Sequence, residues 1–160
     1  MSASLLLHAD SKSNRCFGGR NVHVASVEVG GMTKKVFIKF VSDPAHDRIK
    51  SIVGLACASQ AVNDGHDVSV FFAAAGTRLL EPKFLSDLES DVGPDSTMVH
   101  GFMDNLLAGA DLHCSFASVK TTLGHAEGDG ALCVPDDKIA WSGPPGVLAL
   151  ATASDVQLVY

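Results

Sequence analysis

The sequence has few positive charges and no run of them. Lysine and arginine together number 12 against 18 aspartates and glutamates, which gives a formal net charge of −6 and a pI near 5.5. A protein that binds nucleic acid needs clustered lysine and arginine to displace the counterions of the phosphate backbone. The charge balance therefore argues against a nucleic-acid partner.

Long apolar runs are absent as well. All of them fall far below the roughly 20 residues that span a bilayer, and the N-terminus lacks a positively charged start followed by a long apolar stretch. We therefore predict a soluble protein without a membrane segment.

No GxGxxG, P-loop, GxSxG or paired-carboxylate motif occurs, which removes the common nucleotide-binding and hydrolase classes.

The cysteines and histidines show no metal-ligand spacing. The four cysteines form no CxxC pair, and the histidines form neither an i, i+4 pair nor an HxH pair. We predict no metal site and no cofactor. A chain with a core of this size does not need disulfide bonds, so reduced thiols in the cytoplasm are the expectation.

Residues 1–33 differ in composition from the rest of the chain, with Ser, Asn and Gly scattered among short apolar pieces. We interpret this segment as an N-terminal extension, either a flexible arm or an edge strand over residues 21–29. An organelle transit peptide is the third interpretation. It is not favoured, because the segment has only two arginines and contains Asp10 and Glu28.

Residues 34–80 have the order of a parallel βαβ unit. The strand predicted over 35–41 is as apolar as strands that helices cover on both sides. Asp43 or Asp47 caps the next helix, Gly65 ends it, and a second strand follows over 67–73. The buried face of the helix is predicted from apolar residues at helical spacing. These are Ile49, Ile52, Val53 and Ala56, with Leu55, Ser59 and Val62 widening the stripe.

The rest of the chain continues the alternation of helices and strands. The pattern predicts a third strand over 111–117 and, over 125–138, a surface loop that is rich in Gly and Asp. The remaining predicted elements are helices over 83–89, from Asp95 or Ser96 to 110, over 118–123 and over 142–154, and strands over 139–141 and 156–160. This order indicates an α/β fold, a three-layer sandwich with a mostly parallel central sheet of about five strands over residues 34–160.

Four segments of this domain carry a resemblance to a known family. They are KVFIKFVSDP before a helix, DGHDVSVFF leading into GTRLL, ADLHCSF followed by Gly124, and ASDVQLVY at the end. In this order and spacing they resemble the DsrE/DsrF-like proteins of the sulfur relay, over about residues 34–160. The resemblance implies a homo-oligomer, trimer or hexamer, and a sulfur-relay protein as partner.

The chemistry implied by the resemblance depends on a cysteine at the end of the third strand, which carries a persulfide. Phe116 occupies that position here, and Cys114 lies two residues earlier on what is predicted to be the same face of the strand. Cys114 either projects toward the crevice or is buried beneath it. In the first hypothesis Cys114 is the catalytic thiol, and Lys120 lowers its pKa.

The second hypothesis is a non-catalytic oligomeric module. Open parallel sheets bind ligands at the C-terminal ends of their strands, and polar residues follow the predicted strands. In this hypothesis Arg78, Lys120 and free amides at helix starts bind a small anion or a protein partner. The predicted ligand-binding residues are Asp43, His46, Thr77, Arg78 and Thr121.

Phenylalanine content adds an expectation of self-association. Eight phenylalanines are present, and a small set of helices is not expected to bury all of those in the domain. A homo-oligomer would cover the surplus. The residues behind this expectation are Phe71, Phe72, Phe84, Phe102 and Phe116.

Overall fold

A computed structural model describes residues 32–160, so the predictions for the N-terminal extension up to residue 31 lie outside the described residues. Five parallel strands form one sheet in the order β4-β3-β2-β1-β5. The strands are β1 (Lys35–Phe40), β2 (Asp67–Phe72), β3 (Ala110–Ser115), β4 (Ile139–Ser142) and β5 (Val156–Val159). The α/β fold class and the parallel sheet predicted from the sequence are confirmed.

Helices cover both faces of this sheet. On one face lie α1 (Arg48–Asn63), α2 (Pro82–Val92) and α3 (Met98–Gly109), and the main core is between them and the sheet. On the other face α5 (Pro144–Ala153) packs over Phe71. Because successive strand residues point to opposite faces, Phe72 enters the main core while Phe71 lies under α5.

The caps of α1 agree with the sequence pattern, but its buried face does not. Asp47 is the N-cap and accepts a hydrogen bond from the Lys50 amide, and Gly65 follows the helix with a φ of +76°. The prediction for the stripe is wrong in part, since Ile49 is 77% and Val53 47% exposed. The residues that α1 buries are Ser51, Gly54, Leu55, Ala58 and Ser59.

Close packing explains this choice of face. A Cβ atom on Gly54 would lie 2.5 Å from the Phe40 ring and 2.7 Å from the Tyr160 ring. The helix therefore approaches the sheet most closely at a residue without a side chain. Ser59, also on the buried face of α1, accepts a hydrogen bond from Asn105 of α3, so this face packs against a neighbouring helix as well as against the sheet.

The remaining segments connect these layers. A 3₁₀ segment, Ala74–Leu80, follows β2, and a short helical turn α4 (Phe116–Ser118) continues from β3 into a π-helical turn, Val119–Leu123. Gly124 ends this turn in the left-handed region, with a φ of +77°. None of the helices within residues 32–160 is long and apolar enough to cross a membrane.

Candidate functional site

Cys114 lies on β3 with its side chain in the main core, and none of its surface is exposed. Burial raises the pKa of the Cys114 thiol to about 12, against a smaller opposing effect from a backbone hydrogen bond at Ser115. A thiol with that pKa is almost entirely protonated at neutral pH, and the thiolate is the nucleophilic form. The sequence leaves open whether Cys114 projects toward the crevice or is buried beneath it, and in the structure it is buried.

Phe116 does not share a strand face with Cys114. The strand ends at Ser115, and Phe116 is the first residue of α4. Its side chain is 48% exposed, and its ring lies beside Gly143 at the start of α5. The expectation of a common face is therefore wrong, because the strict alternation of side chains stops where the helical turn begins.

Asp43, His46 and Arg78 come together after β1 and β2. One guanidinium nitrogen of Arg78 lies 3.6 Å from Asp43 Oδ1, and His46 Nε2 lies 3.9 Å from Asp43 Oδ2. Arg78 also lies 3.6 Å from a Glu81 oxygen, and its guanidinium stacks over the Phe84 ring at 5.5 Å. Two carboxylates already balance the charge of Arg78, which weakens its attraction for a further anion.

Thr77 belongs to the interior of the 3₁₀ segment. It is fully buried, and its hydroxyl donates a hydrogen bond of 2.8 Å to the Ala74 carbonyl. A buried hydroxyl with a satisfied donor contributes to the local structure. Thr77 therefore lines no surface that a ligand could reach.

Lys120 and Thr121 lie on the π-helical turn after β3. Lys120 is exposed, and the Thr121 hydroxyl donates to the carbonyl of Ala117, four residues earlier in the chain. Within residues 32–160, no hydrogen bond or ion pair joins these two side chains to Arg78 or Asp43. The residues predicted for one crevice thus form two groups.

The backbone amides expected to bind an anion are occupied by nearby side chains. The Ser118 amide donates to Ser115 Oγ at 3.2 Å, and the Ala45 amide donates to Asp43 Oδ1 at 2.9 Å. The Lys50 amide donates to the capping carboxylate of Asp47. Anion sites at helix starts depend on free amides, so these two helix starts offer little to an anion.

A cleft of about 400 Å³ opens at the C-terminal ends of β2 and β3, beneath the first turn of α5. Its lining is apolar except for two serines. The residues that line it are Phe71, Ala73, Ala74, Ser115, Ser118, Gly143, Pro144, Val147 and Leu148. The cleft lies at the edge of the sheet where the sequence predicts a crevice, but its lining residues differ from the predicted ligand-binding residues, because they come from segments far apart in the chain.

Ala74 has an unusual backbone at the entrance of this cleft. Its φ is +48°, in the left-handed region that L-residues other than glycine, Asn and Asp seldom adopt. The Ala74 amide donates to Ser118 Oγ at 2.9 Å, and its carbonyl accepts from the Thr77 hydroxyl. These bonds to two different segments stabilise the strained conformation, which costs about 1–3 kcal/mol.

Comparisons with known proteins find several solved structures that are similar to this chain. The crystal structure of the YchN protein from E. coli matches with a TM-score of 0.46 and 16% sequence identity, covering 81% of this chain and 100% of that chain. No family model matches the sequence, and no curated protein matches it. At this level of similarity the comparisons assign no family.

Proposed function

We propose that the protein is a non-catalytic binding module with DsrE/DsrF-like organisation, which binds its ligand or partner at the C-terminal ends of the strands. It would not carry sulfur on Cys114. The observation behind this proposal is the burial of Cys114, together with a phenylalanine at the position where the resembling family has its reactive cysteine. A persulfide carrier needs an exposed thiol that is partly ionised.

The competing proposal is the sulfur relay itself, and the resemblance of the sequence segments supports it. It requires Cys114 as the reactive thiol and Lys120 as the group that lowers the pKa of that thiol. Burial has the opposite effect and raises the pKa of Cys114 to about 12. Cys133 is no better suited, because burial raises its pKa to about 11 and its sulfur contacts the Leu79 carbonyl.

Intact-protein mass spectrometry after incubation with a persulfide donor separates the two proposals. We expect the native protein and the Cys114→Ser variant to give the same mass change, because a buried thiol does not react. Cys114→Ala serves as a second variant that keeps the core apolar. A gain of one sulfur atom in the native protein that both variants lose would contradict the binding-module proposal.

We also propose the homo-oligomer that the sequence predicts, but a different set of residues supports it. Phe71 and Phe72 are buried within the domain, so the phenylalanine argument weakens. Helix α5 supports self-association better, because it contains no charged residue and none of its residues is buried. A helix that is apolar on all sides is normally covered on all sides.

A further inference from the structure

We infer that the cleft beneath α5 binds a small, uncharged, mostly apolar molecule that carries one hydrogen-bond acceptor. This inference rests on the proposed function, because it names the ligand class for the same edge of the sheet. Pockets for small molecules measure about 300–1,000 Å³ and combine an apolar lining with a few polar groups. The cleft meets both criteria with its volume of about 400 Å³ and its two serines.

The lining excludes a charged ligand. None of the side chains that line the cleft is ionisable. The helix start above it has prolines at its first two positions, Pro144 and Pro145, which have no N–H to donate. The amides of Gly146 and Val147 donate to the Gly143 carbonyl. A carboxylate or phosphate would lose its hydration here without gaining a countercharge or a free amide.

Among residues 32–160, the two serines have one hydroxyl proton without an acceptor. Ser115 Oγ accepts from the Ser118 amide, and Ser118 Oγ accepts from the Ala74 amide. The two hydroxyl oxygens lie 2.9 Å apart, and one hydrogen bond between them uses one of their two protons. Since each hydroxyl carries a single proton, the pair retains one donor. Ser115 is only 9% exposed, so this donor is at the wall of the cleft and not in bulk water.

The apolar part of the ligand has its own contacts. Phe71 lies at the wall and shapes the cleft, but none of its surface is exposed, so it adds no surface for a ligand to remove from water. Leu148 lies at the cleft with 66% of its surface exposed, and a ligand in the cleft would cover part of it. Removing such apolar surface from water favours binding. A single aromatic ring with one carbonyl group meets the requirements of both the wall and the hydroxyl donor.

Three probes of similar size test this inference in ¹H–¹⁵N NMR titrations of the full chain. Acetophenone has a ring and an acceptor, ethylbenzene lacks the acceptor, and benzoate adds a negative charge. We expect acetophenone to shift the amide signals of Ala74, Ser115 and Val147. We expect it to bind about fivefold more tightly than ethylbenzene, because an unpaired buried donor costs about 1 kcal/mol. Benzoate should bind least.

Two variants locate the site. Leu148→Asp should weaken acetophenone binding at least fivefold, by placing a charge at the cleft, whereas Ala108→Asp on the exposed side of α3 should leave it unchanged. Equal binding of acetophenone and ethylbenzene, or no binding of either, would overturn the inference. Tighter binding of benzoate would also overturn it, while leaving a binding module in place. The proposed function itself would be contradicted only if the mass-spectrometry experiment showed that Cys114 gains a sulfur atom.

Discussion

At the scale of single residues, Glu89 is a buried carboxylate that connects two helices. It lies on α2 and accepts hydrogen bonds from the Ser96 hydroxyl and from the amide and ring of His100 at the start of α3. Burial alone raises the pKa of Glu89, but the hydrogen bonds from Ser96 and His100 outweigh it and lower the pKa from 4.5 to about 2. The ionised carboxylate is therefore the form that holds α3 in place.

The pH dependence of this contribution follows from the direction of the shift. The pKa in the folded state lies below that of the unfolded chain, so the stabilisation is complete above about pH 4.5 and is lost as the pH falls toward 2. We expect Glu89→Ala to lower the free energy of unfolding by about 2 kcal/mol at pH 7, because it leaves the partly buried donors of Ser96 and His100 unpaired.

Urea denaturation at pH 7 and at pH 3 measures this effect. The difference between native protein and Glu89→Ala should shrink at the lower pH, while Glu127→Ala in the exposed loop should change stability by less than about 0.5 kcal/mol at either pH. A difference that stays the same at both values would contradict the role assigned to the ionised form.

At the scale of secondary-structure elements, Gly54 of α1 and Gly101 of α3 have opposite surroundings. Gly54 meets the rings of Phe40 and Tyr160, whereas nothing lies within 4 Å of a Cβ built on Gly101. Alanine favours a helix over glycine by about 1 kcal/mol where space permits. In a filled space the added methyl group costs about 1–3 kcal/mol.

Substituting alanine at each glycine therefore separates the effect of helix propensity on stability from the effect of packing. We expect Gly54→Ala to lower the melting temperature, because the methyl group forces α1 away from the sheet. Gly101→Ala should raise it, since only the gain in helix propensity remains. Thermal denaturation followed by circular dichroism gives both values, and a rise for both variants would show that α1 does not pack as closely as described.

At the scale of the whole molecule, the outer face of α5 is the surface that most needs a partner. Ala149 and Thr152 are exposed on it, and the Thr152 hydroxyl donates back to the Leu148 carbonyl. A chain of net charge −6 repels its own copies except where they meet through uncharged surface. A second copy of this helix fits that condition.

Sedimentation velocity at micromolar concentration tests the oligomer. We expect the native protein to sediment faster than a monomer, and Ala149→Asp to weaken the association at least about tenfold, because the new charge would be buried between copies. Ala108→Asp on the exposed side of α3 is the matched control and should leave association unchanged. A native protein that sediments only as a monomer would contradict the proposal.

The sequence by itself determined the elements and their order. Apolar strands, the Asp47 cap, and the glycines that end α1 and the π-helical turn depend on residues close together in the chain, so their patterns could be recognised without a structure. The same local patterns gave the fold class, because alternating strands and helices have few ways to bury their apolar faces.

Only the tertiary structure decided the depth of each side chain and the make-up of the cleft. Cys114 is buried because three helices cover its face of the sheet, and Arg78 is neutralised by acidic residues from two segments. Ser115 and Ser118 meet Val147 across the cleft although about 30 residues separate them in the chain. Packing between distant segments sets these contacts, and no local pattern in the sequence encodes them.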